Sequence, residues 1–342
     1  MVFPRRTIAT AVGALLAPLL AAATPAVAAP AETSQVNAPT ITHIVAISLD
    51  GLNPTALTRL GRRGTPVLHR MMRRGASTLN ARTAYEMTTT LPNHTSMVTG
   101  RRIAVAAGGH GVIWNDDRLV PPTVQAAAGE PVESVFTALH AGGLQSALFA
   151  SKTKFSLWKR SWPDSIDRYE VTLDTRVLVN EVRRDLKSTD RALTFVHLSD
   201  IDVVGHANGW MSPAYLDAVR RADAYVGRIL YAIDKAGEAG ETLLVVTADH
   251  GGMGHGHADP EAYADYRVPF LVLGPDVPRG TDLYDLNPGY QDPRKGRPTY
   301  AQARQPIRSG AVANLVTDVL GLPAVPDSQV DQLQDLDVLR AP

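Results

Sequence analysis

The chain has 342 residues, 44% hydrophobic and 20% charged, a globular composition that excludes a disordered protein. Lys plus Arg and Asp plus Glu each number 34, so formal net charge is zero and neither nucleic acid nor an anionic membrane is indicated as a partner. Cysteine is absent, which removes disulfides, thiolate zinc sites and a cysteine nucleophile; no basic stripe with interleaved aromatics marks a nucleic-acid-binding surface.

The chain opens on Arg5 and Arg6, then an uncharged Ala/Leu-rich run over 8–23, then Ala26 and Ala28 in small-x-small spacing. This order reads as a secretory signal peptide over 1–28. A membrane anchor is disfavoured because the apolar run is short and interrupted by Pro18. The paired arginines admit twin-arginine export beside the general secretory route. The expected location is therefore extracellular or in the cell envelope, with no membrane span once the signal is removed. Residues 29–40 are polar and rich in Pro and Ala, and read as a disordered leader.

From there the pattern alternates. The run 43–51 is apolar and closes on Asp50-Gly51, as a buried strand ending in a loop does. A helical pattern covers 55–74. The Thr-rich segment Met87-Thr88-Thr89-Thr90 leads into a short helix expected to begin near Pro92, since proline suits a first turn. A helix over 133–141 precedes an apolar run at 146–150. A helix over 175–187 precedes another at 193–198. The longest helical pattern, 214–235, places Leu216, Val219, Ala222, Val226, Ile229, Leu230 and Ile233 on one face. Apolar runs at 243–247 and 268–273 follow. Residues 278–308, rich in Pro, Gly, Asp and Arg, read as a long surface loop, and 311–320 as a last helix. Strands alternating with helices predict one domain over 41–342: a three-layer α/β sandwich with a largely parallel sheet and helices on both faces.

In such sheets ligands lie beyond the carboxyl ends of the strands. Three runs end in acidic residues there: Asp50, the segment containing Asp202, and Asp249. His250 adjoins Asp249, His206 follows Asp202 by four residues, and His255 and His257 lie in a Gly-rich loop. Carboxylate with imidazole suits zinc or manganese, and several carboxylates admit two ions. Thr90, at the start of a helix, would meet converging backbone N–H groups that favour an anionic phosphoryl group. It is expected at an exposed strand-end site rather than in the core.

Asp50-Gly51, Thr90-Leu91-Pro92-Asn93-His94, Asp202-x-x-Gly205-His206 and Asp249-His250-Gly251, in that order, resemble the alkaline phosphatase superfamily, and within it the nucleotide pyrophosphatase/phosphodiesterase branch. The resemblance covers about residues 42–275, with Leu91 where that branch typically has Phe. It implies two zinc ions, with manganese or magnesium as alternatives. Asp50, Thr90, Asp249 and His250 would hold one; Asp202, His206 and a third histidine, His257 in preference to His255, would hold the other. It further implies that Thr90 attacks phosphorus in line to give a phosphothreonine that water hydrolyses. Asn115, in His110-Gly111-Val112-Ile113-Trp114-Asn115, would bind a phosphoryl oxygen.

The substrate expected is a small phosphate ester, with nucleotide-type diesters or pyrophosphates favoured. A phosphomonoesterase is the alternative, because Lys152 and Lys154 can grip further phosphoryl oxygens; Lys154 is carried with Asn115 as a substrate-binding candidate. Trp114, Phe155 and Trp158 are candidates for stacking a base, with a core or surface position the equal alternative for each. No Cys/Ser-x-Pro-x-Arg segment exists for a sulfatase. A secreted, non-catalytic binding domain is the second alternative, which metal content separates from an enzyme.

Overall fold

A computed structural model describes residues 41–340; the signal and leader readings at 1–28 and 29–40 lie outside the described residues. Eight strands form one sheet: β1 His43–Leu49, β2 Ala76–Arg82, β3 Ser146–Ala150, β4 Arg168–Val171, β5 Leu193–Leu198, β6 Thr242–Thr247, β7 Arg267–Leu273 and β8 Thr281–Asp282. Their order is β4-β3-β5-β1-β6-β7-β2-β8. All neighbouring pairs are parallel except those of β7, which runs antiparallel to β6 and β2. The sheet is therefore largely parallel, as expected, with one reversed strand.

The central strands β1, β3, β5 and β6 are buried along almost their whole length. Both faces are covered, so every side chain meets protein and the sequence reads as continuous apolar runs rather than alternation. One face carries the helices Pro54–Gly64, Pro66–Arg74, Thr175–Asp185, Asp200–Asn208 and Pro213–Ala236, which pack on one another; the other carries Thr90–Thr99, Val135–Ala141 and Val312–Val319.

Local chemistry sets the helix ends. The pattern 55–74 is two helices, not one. The Asn53 side chain caps the first, accepting from Thr55 N at 2.9 Å, and Thr65 separates it from the second, which Pro66 opens. A proline ring and its missing N–H cannot continue a helix but suit its first turn. Ser212 caps Pro213–Ala236 through Tyr215 N at 3.2 Å, and Gly237 at φ 85° ends it. Asp174 caps Thr175–Asp185, and Ser134 and Thr137 cap Val135–Ala141 reciprocally.

The segment 278–308 is not simply a surface loop. It contributes β8 and a short helix, Leu283–Leu286, and buries Leu283, Tyr290, Ile307 and Arg308. These anchors fix a stretch whose polar composition conceals them. No helix among the described residues is long and apolar enough to cross a membrane.

Candidate active site

Because β5, β1 and β6 are neighbours, their carboxyl ends lie side by side. Asp50 directly follows β1, Asp202 lies in the first turn of the helix after β5, and Asp249 and His250 follow β6. Residues separated by some two hundred positions thus converge into two sets. Asp50, Asp249 and His250 form one, and Asp202, His206 and His257 the other; within each, donor atoms lie within 4.8 Å of one another. All are buried except His206.

The imidazoles share one orientation. Nδ1 of His206 lies 2.9 Å from the His255 carbonyl, Nδ1 of His257 2.6 Å from the Thr88 carbonyl, and Nδ1 of His250 2.9 Å from the Gly251 carbonyl. A carbonyl only accepts, so each Nδ1 carries a proton and each Nε2 is the nitrogen turned toward the site. His206 Nε2 and His257 Nε2 face each other at 3.1 Å, which two lone pairs tolerate only with a cation or proton between them. This is the outer-sphere pattern of metal-ligating histidines.

The carboxylates tell the same story. Asp50 Oδ1, Asp202 Oδ1 and Asp249 Oδ2 are buried with no hydrogen-bond partner among the described residues. Unpartnered buried carboxylate oxygens are costly unless a cation meets them. Burial alone would push the Asp50 carboxyl up, but the Lys152 ammonium, the hydrogen bond from His197 and the nearby His250 imidazole outweigh it and hold it well below the usual range. Burial, and then the Asp50 charge, push Asp249 well up. Burial and the neighbouring His250 bring His257 down to about 3, so it stays neutral. A charge-dense pocket of carboxylate oxygens and imidazole nitrogens fits a divalent cation in each set.

Thr90 is the first residue of the helix Thr90–Thr99, two residues earlier than expected, and is fully buried rather than exposed. Its Oγ1 lies 3.4 Å from His250 Nε2, beside the first set. Asn115 Oδ1 accepts from Leu91 N at 2.9 Å and from Lys154 Nζ at 3.0 Å. The helix start, the Leu91 N–H, Asn115 and Lys154 therefore converge next to the hydroxyl, an arrangement that can hold phosphoryl oxygens. The rest of the motif holds this corner. Asn93 accepts from Ala84 N at 2.9 Å and donates to the carbonyls of Met87 and Thr89 at 2.9 and 3.0 Å, which fastens the loop before Thr90. His94, fully buried, bridges Thr90 O and Ser48 Oγ at 2.8 Å each and ties the helix start to β1.

Of the two loop histidines, His257 joins Asp202 and His206. His255 is exposed and donates from Nδ1 to the His206 carbonyl at 2.9 Å. The stacking candidates take the alternative core position: Phe155 and Trp158 are fully buried and Trp114 is 6% exposed. The aromatic at the site is Trp210, edge-on to His206 with ring centres 5.2 Å apart and donating to Gly51 O at 2.9 Å. It explains the motif glycine Gly205 and the neighbouring Gly252, because a Cβ at Gly205 would stand 2.8 Å from the indole and one at Gly252 closer still.

One residue escaped the reading and another was read in a different role. His197, in β5, meets Asp50 Oδ2 at 2.8 Å; its signal was a lone histidine inside an apolar strand. Lys152, considered as a phosphoryl grip, instead donates to Asp50 Oδ2 at 2.5 Å and Asp202 Oδ2 at 2.7 Å.

Residues 44–265 match the family model described as type I phosphodiesterase / nucleotide pyrophosphatase. The solved structure of murine ectonucleotide pyrophosphatase/phosphodiesterase 5 superposes with a TM-score of 0.68 at 15% identity, covering 87% of this chain and all of that one. An inactive variant of the murine protein in complex with AMP gives 0.67 at 14%, and the human protein 0.64 at 16%, with the same coverage. Among curated proteins, GPI ethanolamine phosphate transferase 1 of Yarrowia lipolytica is 25% identical over 166 residues, 45% of this chain. That of Aspergillus oryzae is 34% identical over 93 residues, 26% of this chain. The chain spans only 16% and 9% of those two proteins.

Proposed function

Because the chain belongs to the type I phosphodiesterase / nucleotide pyrophosphatase family, and is thus a metal-dependent hydrolase of phosphodiesterase type, we propose that it is an exported two-metal enzyme that cleaves phosphodiester or pyrophosphate bonds through Thr90. The carrying observation is the pair of three-residue donor sets with their unpartnered carboxylate oxygens beside the Thr90 hydroxyl. Asp50, Thr90, Asp249 and His250 would hold one zinc ion, and Asp202, His206 and His257 the other. Divalent cations held there would stabilise the charge that builds up on the attacking and leaving oxygens. The protein supplies the rest. Thr90 Oγ1 gives up its proton and forms a bond to phosphorus as the bond to the leaving oxygen, of an alcohol or a phosphate, breaks and that oxygen takes up a proton. The Leu91 N–H, Asn115 and Lys154 hold the non-bridging oxygens while they flatten into the transition state. Water then cleaves the phosphothreonine and restores the hydroxyl.

The complex of the murine relative with AMP favours nucleotide-type substrates. The signal over 1–28 favours export, with 41–342 as the catalytic domain. A phosphomonoesterase is the second reading, supported by the Lys154 ammonium beside Asn115, since a monoester brings one more charged oxygen to that corner.

The test is a panel on the purified protein: bis-p-nitrophenyl phosphate, the thymidine monophosphate nitrophenyl ester and p-nitrophenyl phosphate. Turnover of the two diesters should exceed that of the monoester; the reverse order establishes the second reading. Thr90→Ala should lose at least about a thousandfold in kcat, as removed nucleophiles do. Wild-type rates in that variant would exclude Thr90.

A further inference from the structure

Two carboxylates, one just after β1 and one in the helix after β5, share one ammonium. Lys152, just past β3, reaches Asp50 Oδ2 at 2.5 Å and Asp202 Oδ2 at 2.7 Å. The other oxygen of each carboxylate has no hydrogen-bond partner among the described residues. Asp50 Oδ1 lies 3.3 Å from His250 Nε2, and Asp202 Oδ1 lies 3.4 Å from His206 Nε2 and 3.6 Å from His257 Nε2. One donor thus turns both carboxylates the same way, Oδ2 back toward the lysine and Oδ1 forward toward the imidazoles.

The lysine is itself held in place. Ser151 Oγ accepts from Ser199 N at 2.8 Å and donates to His197 O at 3.1 Å, which fastens the end of β3 to the end of β5. The two carboxylates are not equally dependent on it. Asp50 Oδ2 also receives His197 Nε2 at 2.8 Å, whereas Lys152 is the partner recorded for Asp202 Oδ2.

We propose that Lys152 is a positioning residue that presets Asp50 and Asp202 to offer one oxygen each, so that its loss loosens chiefly the Asp202, His206 and His257 set. This rests on the two-ion reading. Charge alone predicts the opposite sign. An ammonium against ligand carboxylates repels an incoming cation, so removing it without a positional effect would tighten both sets. A grip on the substrate predicts a third pattern: raised KM with metal binding unchanged.

The experiment titrates zinc into metal-stripped full-length protein against a chromophoric chelator, for wild type, Lys152→Met, Lys152→Arg and His206→Ala, with circular dichroism alongside. Wild type should take two ions. Lys152→Met should keep one at near wild-type affinity and bind the second about 10–100-fold more weakly, the usual cost of losing an outer-sphere partner. Its surviving site should match that of His206→Ala. Lys152→Arg, which keeps the charge and two donors, should recover part of the loss. Equal weakening, unchanged binding or tighter binding of both ions in Lys152→Met overturns the assignment. So does a Lys152→Met or Lys152→Arg chain that fails to fold with zinc present, because a role confined to two carboxylates leaves the fold intact. If wild type itself fails to take two ions, the two-ion reading falls first, whatever the variants do.

Discussion

Gly252→Ala should cost far more than an extra methyl group in a loop ordinarily does. A Cβ at Gly252 would stand 2.5 Å from both Cδ2 and Nε1 of Trp210, and nearer to Cε2. The indole has no free space to retreat into. It is buried, its Nε1 donates to Gly51 O at 2.9 Å, and its ring lies edge-on to His206 and His257, with centres 5.2 and 5.8 Å away. Overpacking of this kind costs about 1–3 kcal/mol. Breaking the indole hydrogen bond adds about 1 kcal/mol. The sum, about 2–4 kcal/mol, corresponds to a fall in Tm of about 3–6 °C for a domain of about 300 residues. Calorimetric melts with and without zinc read it directly. The zinc-induced rise in Tm should also shrink, because the displaced ring pushes on two imidazoles of one donor set. The cycle with Trp210→Phe isolates the clash: the double variant should lose less than the sum of the singles by about 1 kcal/mol or more. A Gly252→Ala protein melting within about 1 °C of wild type, or strict additivity in the cycle, would refute the steric argument.

Two further outcomes are expected. His257→Ala should lose one zinc ion by metal analysis and most turnover, whereas His255→Ala, which removes only a bond to the His206 carbonyl, should keep both ions; equal, mild effects would disqualify His257 as a ligand. Stability should also carry the signature of Asp331, which burial pushes up to about 7. Between about pH 4 and pH 7 the folded chain keeps a proton that the unfolded chain has released, so this contribution is full below about pH 4 and is lost as pH rises through 7. Asp331→Asn should flatten that decline and raise stability at pH 8 by about 1–2 kcal/mol, with φ of 54° suiting asparagine; an unchanged pH profile of Tm would remove Asp331 as the cause.

The sequence was legible where burial is symmetrical. β1, β3, β5, β6 and β7 stand out as apolar runs because both faces of each are covered. β2, Ala-Ser-Thr-Leu-Asn-Ala-Arg, did not, because it is half-polar and bends at a register shift between Thr78 and Ala81. β4 and β8 are short, partly exposed edge strands with no pattern to read. In the site, the acidic residues were legible because strand ends are where topology puts ligands. Lys152 and His197 were not, since their partners lie 102 and 147 residues away and no local spacing encodes them. The depth of Thr90 was hidden for a related reason: its helix is polar, and only the tertiary fold reveals that it is buried on all sides.

All ten residues of the helix Thr90–Thr99 are buried, and its side chains are bonded to β1, to the preceding loop and to its own backbone. Amide protons in such a segment exchange with solvent only when much of the molecule opens. Thr90, the proposed nucleophile, is therefore expected on some of the slowest-exchanging backbone of the described residues rather than on a flexible loop. Its geometry is set at the time of folding, with little left to organise when a phosphate arrives, and the free energy that orders it is drawn from the core instead of from substrate binding.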